Sequence, residues 1–242
     1  MLEKLPSAIL FDLDGTLVDT AEEFLIAINS LLRKDNLPLM LLESVRPLIS
    51  KGSRALVREA YDRRLRPDQL DSHHADFLTC YKESLGNAAR LFHGMSNVLD
   101  TIEASGRIWG IVTNKPSEFT VPLLKKLNLY DRAACVVSGD TTQHSKPHPA
   151  PLLKACSMIN QGAKDCIYIG DDERDILAAN AASMRSIIAL YGYKDPEQHA
   201  EKWGASAMIS DPIELIPVLK PAMLKTVQEL SLIHISEPTR PY

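Results

Sequence analysis

Short apolar runs alternate with helical patterns through most of this chain, and this alternation constrains its fold more than any other feature. The strand-like runs lie at 8–13, 109–113, 135–138, 166–169, 186–190 and, more weakly, 207–209, and helical patterns lie at 98–105, 119–127, 150–159 and 176–182. Strands that are almost wholly apolar are typical of strands buried on both faces of a parallel sheet. The sequence therefore predicts an α/β fold, with a Rossmann-like parallel sheet and helices on both faces.

One segment near the N-terminus breaks this rhythm. Residues 20–90 contain consecutive helical patterns at 21–33, 53–64 and 74–84, with Pro38, Pro47 and Pro67 where helices are expected to end. We therefore predict a core domain of residues 1–19 and 91–220 and a small helical cap of residues 20–90. Ligands bind beyond the carboxyl ends of strands in parallel sheets, so a cap that leaves the first strand there is positioned to cover a site.

The end of the chain follows a different pattern. Residues 221–242 are expected to form a C-terminal tail, and residues 231–242 continue no element and read as sequence foreign to the domain.

Composition excludes several classes of function. The 27 basic and 31 acidic residues give a formal net charge of −4, and no long basic run provides the footprint of a nucleic-acid binder. No apolar stretch approaches the roughly 18 residues that cross a bilayer, and the first residues lack a secretory signal. The cysteines form no Cys-x-x-Cys pair and are expected to be reduced core residues: Cys80, Cys135, Cys156 and Cys166. We expect a cytoplasmic protein without nucleic-acid or membrane partners, and the sequence indicates no oligomeric state.

Two carboxylates follow the first apolar run closely. Asp12 and Asp14 are two positions apart in Asp-Leu-Asp-Gly-Thr, so they project from the same side of an extended strand, and Gly15 lets the backbone turn beneath them. Like charges in one small volume disfavour each other's ionisation unless a cation or a proton intervenes. A divalent metal is the natural occupant of such a site.

Three later segments also place polar residues after apolar runs. Thr113 and Asn114 end the run at 109–113; a hydroxyl and an amide there suit a phosphate oxygen, although strand ends often carry such residues as ordinary turns. Lys146 lies in a turn bounded by proline, which favours a fixed ammonium over a solvated one.

Four carboxylates follow Gly170 at the end of a buried strand and favour a hard cation, with Asp171 and Asp175 as the expected pair. Asp172 suits the cap of the next helix equally well.

In this order, the four segments resemble the haloacid dehalogenase superfamily of phosphatases. The resemblance implies that Asp12 is the nucleophile, forming an aspartyl-phosphate, and that Asp14 is the acid and base. It also implies that Thr113 and Lys146 hold the phosphoryl group, and that Mg²⁺ is bound by Asp12, the Asp14 carbonyl and Asp171 with support from Asp175. The carboxylate at Asp14 separates the chain from the dehalogenases of the superfamily.

The whole chain resembles bacterial phosphoglycolate phosphatases, and most of all the phosphatases of N-acetylmuramic acid 6-phosphate that act in cell-wall recycling. The segments at 45–54, 109–116, 170–172 and 191–193 carry the closer resemblance. Many phosphoglycolate phosphatases have serine where this chain has Asp172, and this departure counts modestly against phosphoglycolate as the physiological substrate. Both esters bear a carboxylate, for which Arg46, Lys51 and Arg54 are candidate ligands in the cap, against the alternative that they are solvated surface charges.

Two other classes of function remain open at this point. A sugar phosphomutase, of the β-phosphoglucomutase type, uses the same pair of aspartates and returns the phosphoryl group to a sugar. A binding protein without turnover is the non-enzyme alternative, and it predicts damage to a motif that this sequence does not show.

Overall fold

A parallel sheet with helices on both faces forms the body of the protein. The computed structural model describes residues 6–193 and 199–219, so the expected tail at 221–242, including 231–242, lies outside the described residues. The strands are β1 (Ala8–Phe11), β2 (Val18–Asp19), β3 (Arg90–Leu91), β4 (Ile108–Val112), β5 (Val136–Val137), β6 (Cys166–Gly170), β7 (Arg185–Ala189) and β8 (Ala207–Ile209). The α-helices are α1 (Ala21–Lys34), α2 (Leu42–Ile49), α3 (Ser53–Ala60), α4 (Pro67–Ser84), α5 (Met95–Ala104), α6 (Ser117–Lys126), α7 (Ala150–Met158), α8 (Glu173–Ala181) and α9 (Leu215–Leu219).

Six strands make the main sheet, in the order β5-β4-β1-β6-β7-β8, and every pair is parallel. In the central strand β1, Ile9 and Phe11 pack into the core on one face, while Ala8 and Leu10 pack into the core on the other. Helices α5 and α6 contribute to the first core, and α7 and α8 to the second. The predicted fold class is confirmed, because a strand buried on both faces has apolar residues at every position.

The segment between β2 and β3 consists of helices α1 to α4. The two strands that flank this segment, Val18–Asp19 and Arg90–Leu91, pair as a short antiparallel ribbon. The chain therefore leaves the sheet domain and returns to it at neighbouring positions. Side chains of α1 and α4, such as Phe24 and Phe77, belong to the same hydrophobic cluster as Ile9 and Phe11 of the sheet. The helical segment therefore packs directly on the sheet domain through a continuous core.

The helical segment differs in detail from the prediction. Pro47 lies inside α2 and does not end a helix, although it donates no backbone hydrogen bond there. Helix α3 stops at Ala60 rather than at 64, because Asp62 and Arg63 adopt left-handed φ angles of 52° and 58°. Helix α4 begins at Pro67 rather than at 74, since proline suits the first helical position. None of the helices among the described residues is long and apolar enough to cross a membrane.

The cysteines agree with the expectation of free thiols. All four are free, and three are buried, whereas Cys80 is only partly buried.

Candidate active site

A cavity of about 270 Å³ lies where the carboxyl ends of β1, β4 and β6 meet the helical segment. Its walls come from strand-end loops on one side and from α1, α3 and α4 on the other. Seven of the eight site residues predicted from the sequence line it: Asp12, Asp14, Thr113, Asn114, Lys146, Asp171 and Asp175. Because the carboxyl ends of parallel strands meet at one edge of the sheet, side chains that are up to 163 positions apart in the sequence line the same cavity.

Lys146 is the cationic centre of the cavity floor. Its Nζ lies 2.9 Å from Asp12 Oδ1 and 2.6 Å from Asp175 Oδ1, and it donates to the Tyr168 hydroxyl at 2.7 Å and to the Val112 carbonyl at 3.1 Å. Burial lowers the pKa of this ammonium, but the two carboxylates outweigh burial and hold the pKa above its usual range. Lys146 is therefore a fixed positive charge beside Asp12.

Asn114 and Thr113 support this arrangement from the loop after β4. The Asn114 amide donates to the Lys146 carbonyl at 2.9 Å and accepts from the Lys146 backbone N–H at 2.9 Å. Thr113 is buried, and its Oγ1 accepts from the Lys115 N–H at 3.2 Å. The structure thus gives Asn114 a role in holding the lysine loop, in addition to its place in the cavity wall.

Asp171 is held by its two oxygens at the end of β6. Oδ1 accepts from the Thr16 hydroxyl at 2.8 Å, and Oδ2 accepts from the Tyr193 N–H at 2.8 Å. Gly15 makes room for it: a Cβ there would lie 2.4 Å from Asp171 Oδ2, and the φ angle of 89° favours glycine. Burial, with the charges of Asp12 and Asp175, raises the pKa of Asp171 well above its usual range.

Asp175 and Asp172 form the start of α8. Asp172 caps the helix by accepting from the Arg174 N–H at 2.9 Å, and Asp175 Oδ2 accepts from the Asp172 N–H at 3.1 Å. The cap that was one expectation for Asp172 is therefore present. Asp175 has both oxygens in hydrogen bonds, since its Oδ1 already binds Lys146.

The acidic side chains fit a hard cation. One oxygen each of Asp12, Asp171 and Asp175 lies within 4.8 Å of the others. Asp12 Oδ1 is buried and, apart from its ion pair with Lys146, accepts no well-aligned hydrogen bond. Burial, aided by the Asp175 charge and opposed by Lys146, raises the pKa of Asp12 to about 7. Asp12 and Asp171 are costly to ionise and Asp12 Oδ1 is incompletely bonded, and Mg²⁺ stabilises carboxylates of this kind.

Asp14 lies between the sheet domain and the helical segment. Its Oδ1 accepts from the Thr20 hydroxyl at 2.6 Å, just before α1 begins. The Lys115 ammonium contacts both of its oxygens, at 3.0 and 3.2 Å. Asp14 thus faces the cavity with a different set of partners from Asp12.

Sequence reasoning missed the roles of three buried residues. Lys115 contacts Asp14, Tyr81 of α4 accepts from Lys115 at 2.7 Å, and Tyr168 of β6 accepts from Lys146 and donates to Val112 at 2.7 Å. Lys115 directly follows the Thr-Asn pair, and this adjacency was the only available signal. The tyrosines gave none, because an aromatic residue within an apolar run is ordinary core.

The basic residues of the helical segment that were expected to bind a substrate carboxylate do not line the cavity. The Arg54 side chain, about half exposed, pairs with Asp71 on the surface, and Arg46 binds Asp19 Oδ2 at 2.7 Å. Neither they nor Lys51 belong to the cavity lining. The structure therefore does not bring Arg54 to the site, because α3 turns it towards a carboxylate of α4.

The comparisons with known proteins agree with this geometry. The sequence profile of the haloacid dehalogenase-like hydrolases matches residues 9–189. The chain belongs to this family of enzymes. It is 42% identical to the phosphoglycolate phosphatase of Xanthomonas campestris pv. campestris strain 8004 over 88% of this chain and 96% of that protein. It is 36% identical to the N-acetylmuramic acid 6-phosphate phosphatase of Pseudomonas putida over 89% of this chain and 97% of that protein.

A solved structure gives the same result. The crystal structure of a predicted phosphoglycolate phosphatase from Haemophilus somnus 129PT superposes with a TM-score of 0.80 at 28% identity, covering 90% of this chain and all of that one. The resemblance seen in the four segments is confirmed, and with it the expectation of an enzyme of the phosphatase type.

Proposed function

We propose that the protein is a Mg²⁺-dependent phosphomonoester hydrolase that acts on a small carboxylate-bearing ester, phosphoglycolate or N-acetylmuramic acid 6-phosphate. The observation that carries the proposal is the buried cluster of Asp12, Asp171 and Asp175 beside Lys146, in a cavity that also holds Asp14. Relatives that cover most of the chain are named for these two activities. The net charge of −4 and the absence of a basic run support a small-molecule substrate over a nucleic acid, and the proposed activity is cytoplasmic.

The proposed reaction has two half-reactions that share one pair of aspartates. An Asp12 oxygen attacks phosphorus, the ester P–O bond breaks, and Asp14 gives its proton to the leaving oxygen, which leaves an aspartyl-phosphate. Asp14 then takes a proton from water, the water oxygen attacks phosphorus, and orthophosphate leaves with Asp12 regenerated. Atoms and charges balance, and the protein ends as it began.

The surrounding residues supply position and charge. Lys146, with Thr113, is suited to hold the equatorial oxygens of the phosphoryl group, because its ammonium is fixed beside Asp12. Asp12, the Asp14 carbonyl and Asp171 would hold Mg²⁺, which supplies charge neutralisation for the transferring group. Asp175 would support the site indirectly, because it orients Lys146 and both of its carboxylate oxygens already accept hydrogen bonds. Residues 20–90 would serve as the cap that excludes water.

Phosphate release from the two esters, measured side by side with purified protein and Mg²⁺, tests the proposal. We expect turnover of at least one ester, and Asp12→Asn should reduce it by on the order of 10³-fold or more while the protein stays folded. Asp14→Asn should also disable turnover, whereas Asp131→Asn, at an exposed position, is the matched control. Near-normal turnover by Asp12→Asn contradicts the mechanism, equal and poor turnover of both esters contradicts the substrate pairing, and isomerised sugar phosphate without orthophosphate favours the mutase.

A further inference from the structure

The second lysine of the cavity has no role in the reaction described above. Lys115 is a buried cation, with 6% of its side chain exposed, in the wall of the cavity. Its Nζ lies 5.2 Å from the centre of the Phe24 ring and 4.8 Å from that of Tyr81, within an aromatic pocket. A buried ammonium is costly unless anions or aromatic faces compensate for its desolvation. In the free protein, Asp14 and the two aromatic rings provide this compensation, so Lys115 is held as a cation in the cavity wall.

The two lysines contact different aspartates of the cavity, Lys146 with Asp12 and Lys115 with Asp14. Lys146 lies beside Asp12 and therefore on the side of the phosphoryl group. Lys115 contacts Asp14, the residue that must reach the ester oxygen in the proposed reaction, and therefore lies on the side of the leaving group. The same part of the cavity is lined by apolar side chains, among them Phe24, Phe77 and Tyr81. A leaving group with a negative charge would need a cation there.

Tyr81 lies beside Lys115 in the same part of the cavity. Its hydroxyl accepts from the Lys115 ammonium at 2.7 Å, and among the described residues no acceptor is found for its own proton. Burial, with the charges of Asp14 and Glu23, raises the pKa of Tyr81 well above its usual value, so the hydroxyl keeps that proton. An ammonium and a phenol 2.7 Å apart offer two donors to one carboxylate, and charge-assisted hydrogen bonds of this kind are strong in a dry cavity.

We propose that Lys115 and Tyr81 bind the carboxylate of the substrate. The proposal rests on the proposed function and makes it more specific. Because Lys115 contacts Asp14, the carboxylate it reads must lie close to the ester oxygen, as in the phosphate ester of a 2-hydroxy acid. Phosphoglycolate has its carboxylate one carbon from that oxygen. In N-acetylmuramic acid 6-phosphate the sugar ring separates the two groups, so this pair favours phosphoglycolate.

The test compares phosphoglycolate with 2-hydroxyethyl phosphate, in which a hydroxymethyl group replaces the carboxylate. Orthophosphate release is measured with Mg²⁺ for the wild type, Lys115→Met, Tyr81→Phe and Lys154→Met, an exposed lysine on α7 that serves as the control. Lys115→Met should lower kcat/KM for phosphoglycolate by about 100-fold and Tyr81→Phe by about 10-fold, largely through KM. Both variants should change kcat/KM for the hydroxyethyl ester several-fold less, and Lys154→Met should match the wild type.

Each outcome separates this inference from the proposed function. An equal loss on both esters in both variants overturns the inference, because it means that Lys115 serves only Asp14. N-acetylmuramic acid 6-phosphate is assayed in parallel, and a preference of the wild type for this ester over phosphoglycolate that Lys115→Met leaves intact also overturns the inference. If the wild type releases phosphate from none of these esters, the proposed function itself fails. Tyr81→Phe keeps the aromatic ring in place, so the inference stays testable if Lys115→Met does not fold.

Discussion

Asp12→Asn is expected to stabilise the metal-free protein at high pH while it abolishes turnover. Burial raises the pKa of Asp12 from 3.8 to about 7, and the side chain is only 14% exposed, so solvent screens its charge weakly. One pKa unit corresponds to about 1.4 kcal/mol, so ionised Asp12 destabilises the folded state by about 4 kcal/mol relative to the unfolded chain. Asparagine has nearly the same shape and no charge, and it removes this penalty.

The sign and the pH window follow from proton linkage. The folded-state pKa of Asp12 is raised, so between about pH 4 and pH 7 the folded protein binds a proton that the unfolded chain has lost. The free energy of unfolding of the wild type therefore falls as pH rises through this window. The pKa of Asp171 is raised as well, which steepens the fall. The advantage of Asp12→Asn should grow by about 3 kcal/mol between pH 5 and pH 8.

Urea unfolding in EDTA, followed by tryptophan fluorescence at pH 5, 6, 7 and 8, measures this difference. Asp131→Asn removes an exposed carboxylate and should give a difference that does not change with pH. If the stability of Asp12→Asn relative to wild type is flat with pH, or falls as pH rises, then Asp12 is not costly to ionise. The acidic cluster would then have no energetic need for a cation, and the argument for a metal site would be refuted.

Three further predictions concern the metal and the loops that hold the site. In a thermal denaturation assay, Mg²⁺ should raise the melting temperature of the wild type more at pH 8 than at pH 5, because binding must displace protons at low pH. Asp171→Asn should lose this Mg²⁺-dependent rise in melting temperature. Asn114→Ala removes both hydrogen bonds to the backbone of Lys146, so kcat should fall about 10-fold and the melting temperature by a few degrees. An unchanged kcat contradicts a holding role. Gly15→Ala should abolish Mg²⁺-dependent stabilisation in the same assay, because its Cβ would meet Asp171 at 2.4 Å; normal stabilisation by Mg²⁺ argues against Asp171 as a ligand.

The residues at the strand ends could be predicted from the sequence because a single pattern locates them. An apolar run that breaks into polar residues marks the carboxyl end of a buried parallel strand, and all such ends meet at one edge of the sheet. Asp12, Thr113 and Asp171 were predicted on that basis, and all three line one cavity. The order of strands in the sheet was not needed for this prediction, since the rule depends only on strand direction.

The side of the cavity formed by helices α1 to α4 was harder to predict from the sequence. Which side of a helix faces the cavity depends on how that helix packs, and Arg54 was chosen for its charge although α3 directs it to Asp71. Lys115 and Tyr81 are 34 positions apart and belong to different parts of the fold, so no local pattern connects them. Their meeting is a consequence of tertiary packing, which periodicity along a single helix does not encode.

The contacts of the two aspartates explain how one framework can serve different esters. Asp12 is held by Lys146, whose partners Asp175 and Tyr168 all belong to the sheet domain. Asp14, in contrast, is held by Thr20 at the entry to the helical segment, and by a lysine that Tyr81 of α4 binds.

The position of Asp12, the proposed nucleophile, is therefore set by contacts outside the helical segment, whereas the position of Asp14, the proposed acid, and the surroundings of the proposed leaving group depend on that segment. Substitutions in α1 and α4 can then change which ester is accepted without disturbing attack on phosphorus. This separation predicts that substitutions of Tyr81 change the preference among esters, and that substitutions of Tyr168 lower turnover of all esters alike. Parallel assays on several esters measure both patterns. If substitutions of Tyr81 lower turnover of all esters alike, or substitutions of Tyr168 change the preference among esters, then the two sides of the cavity are not separate.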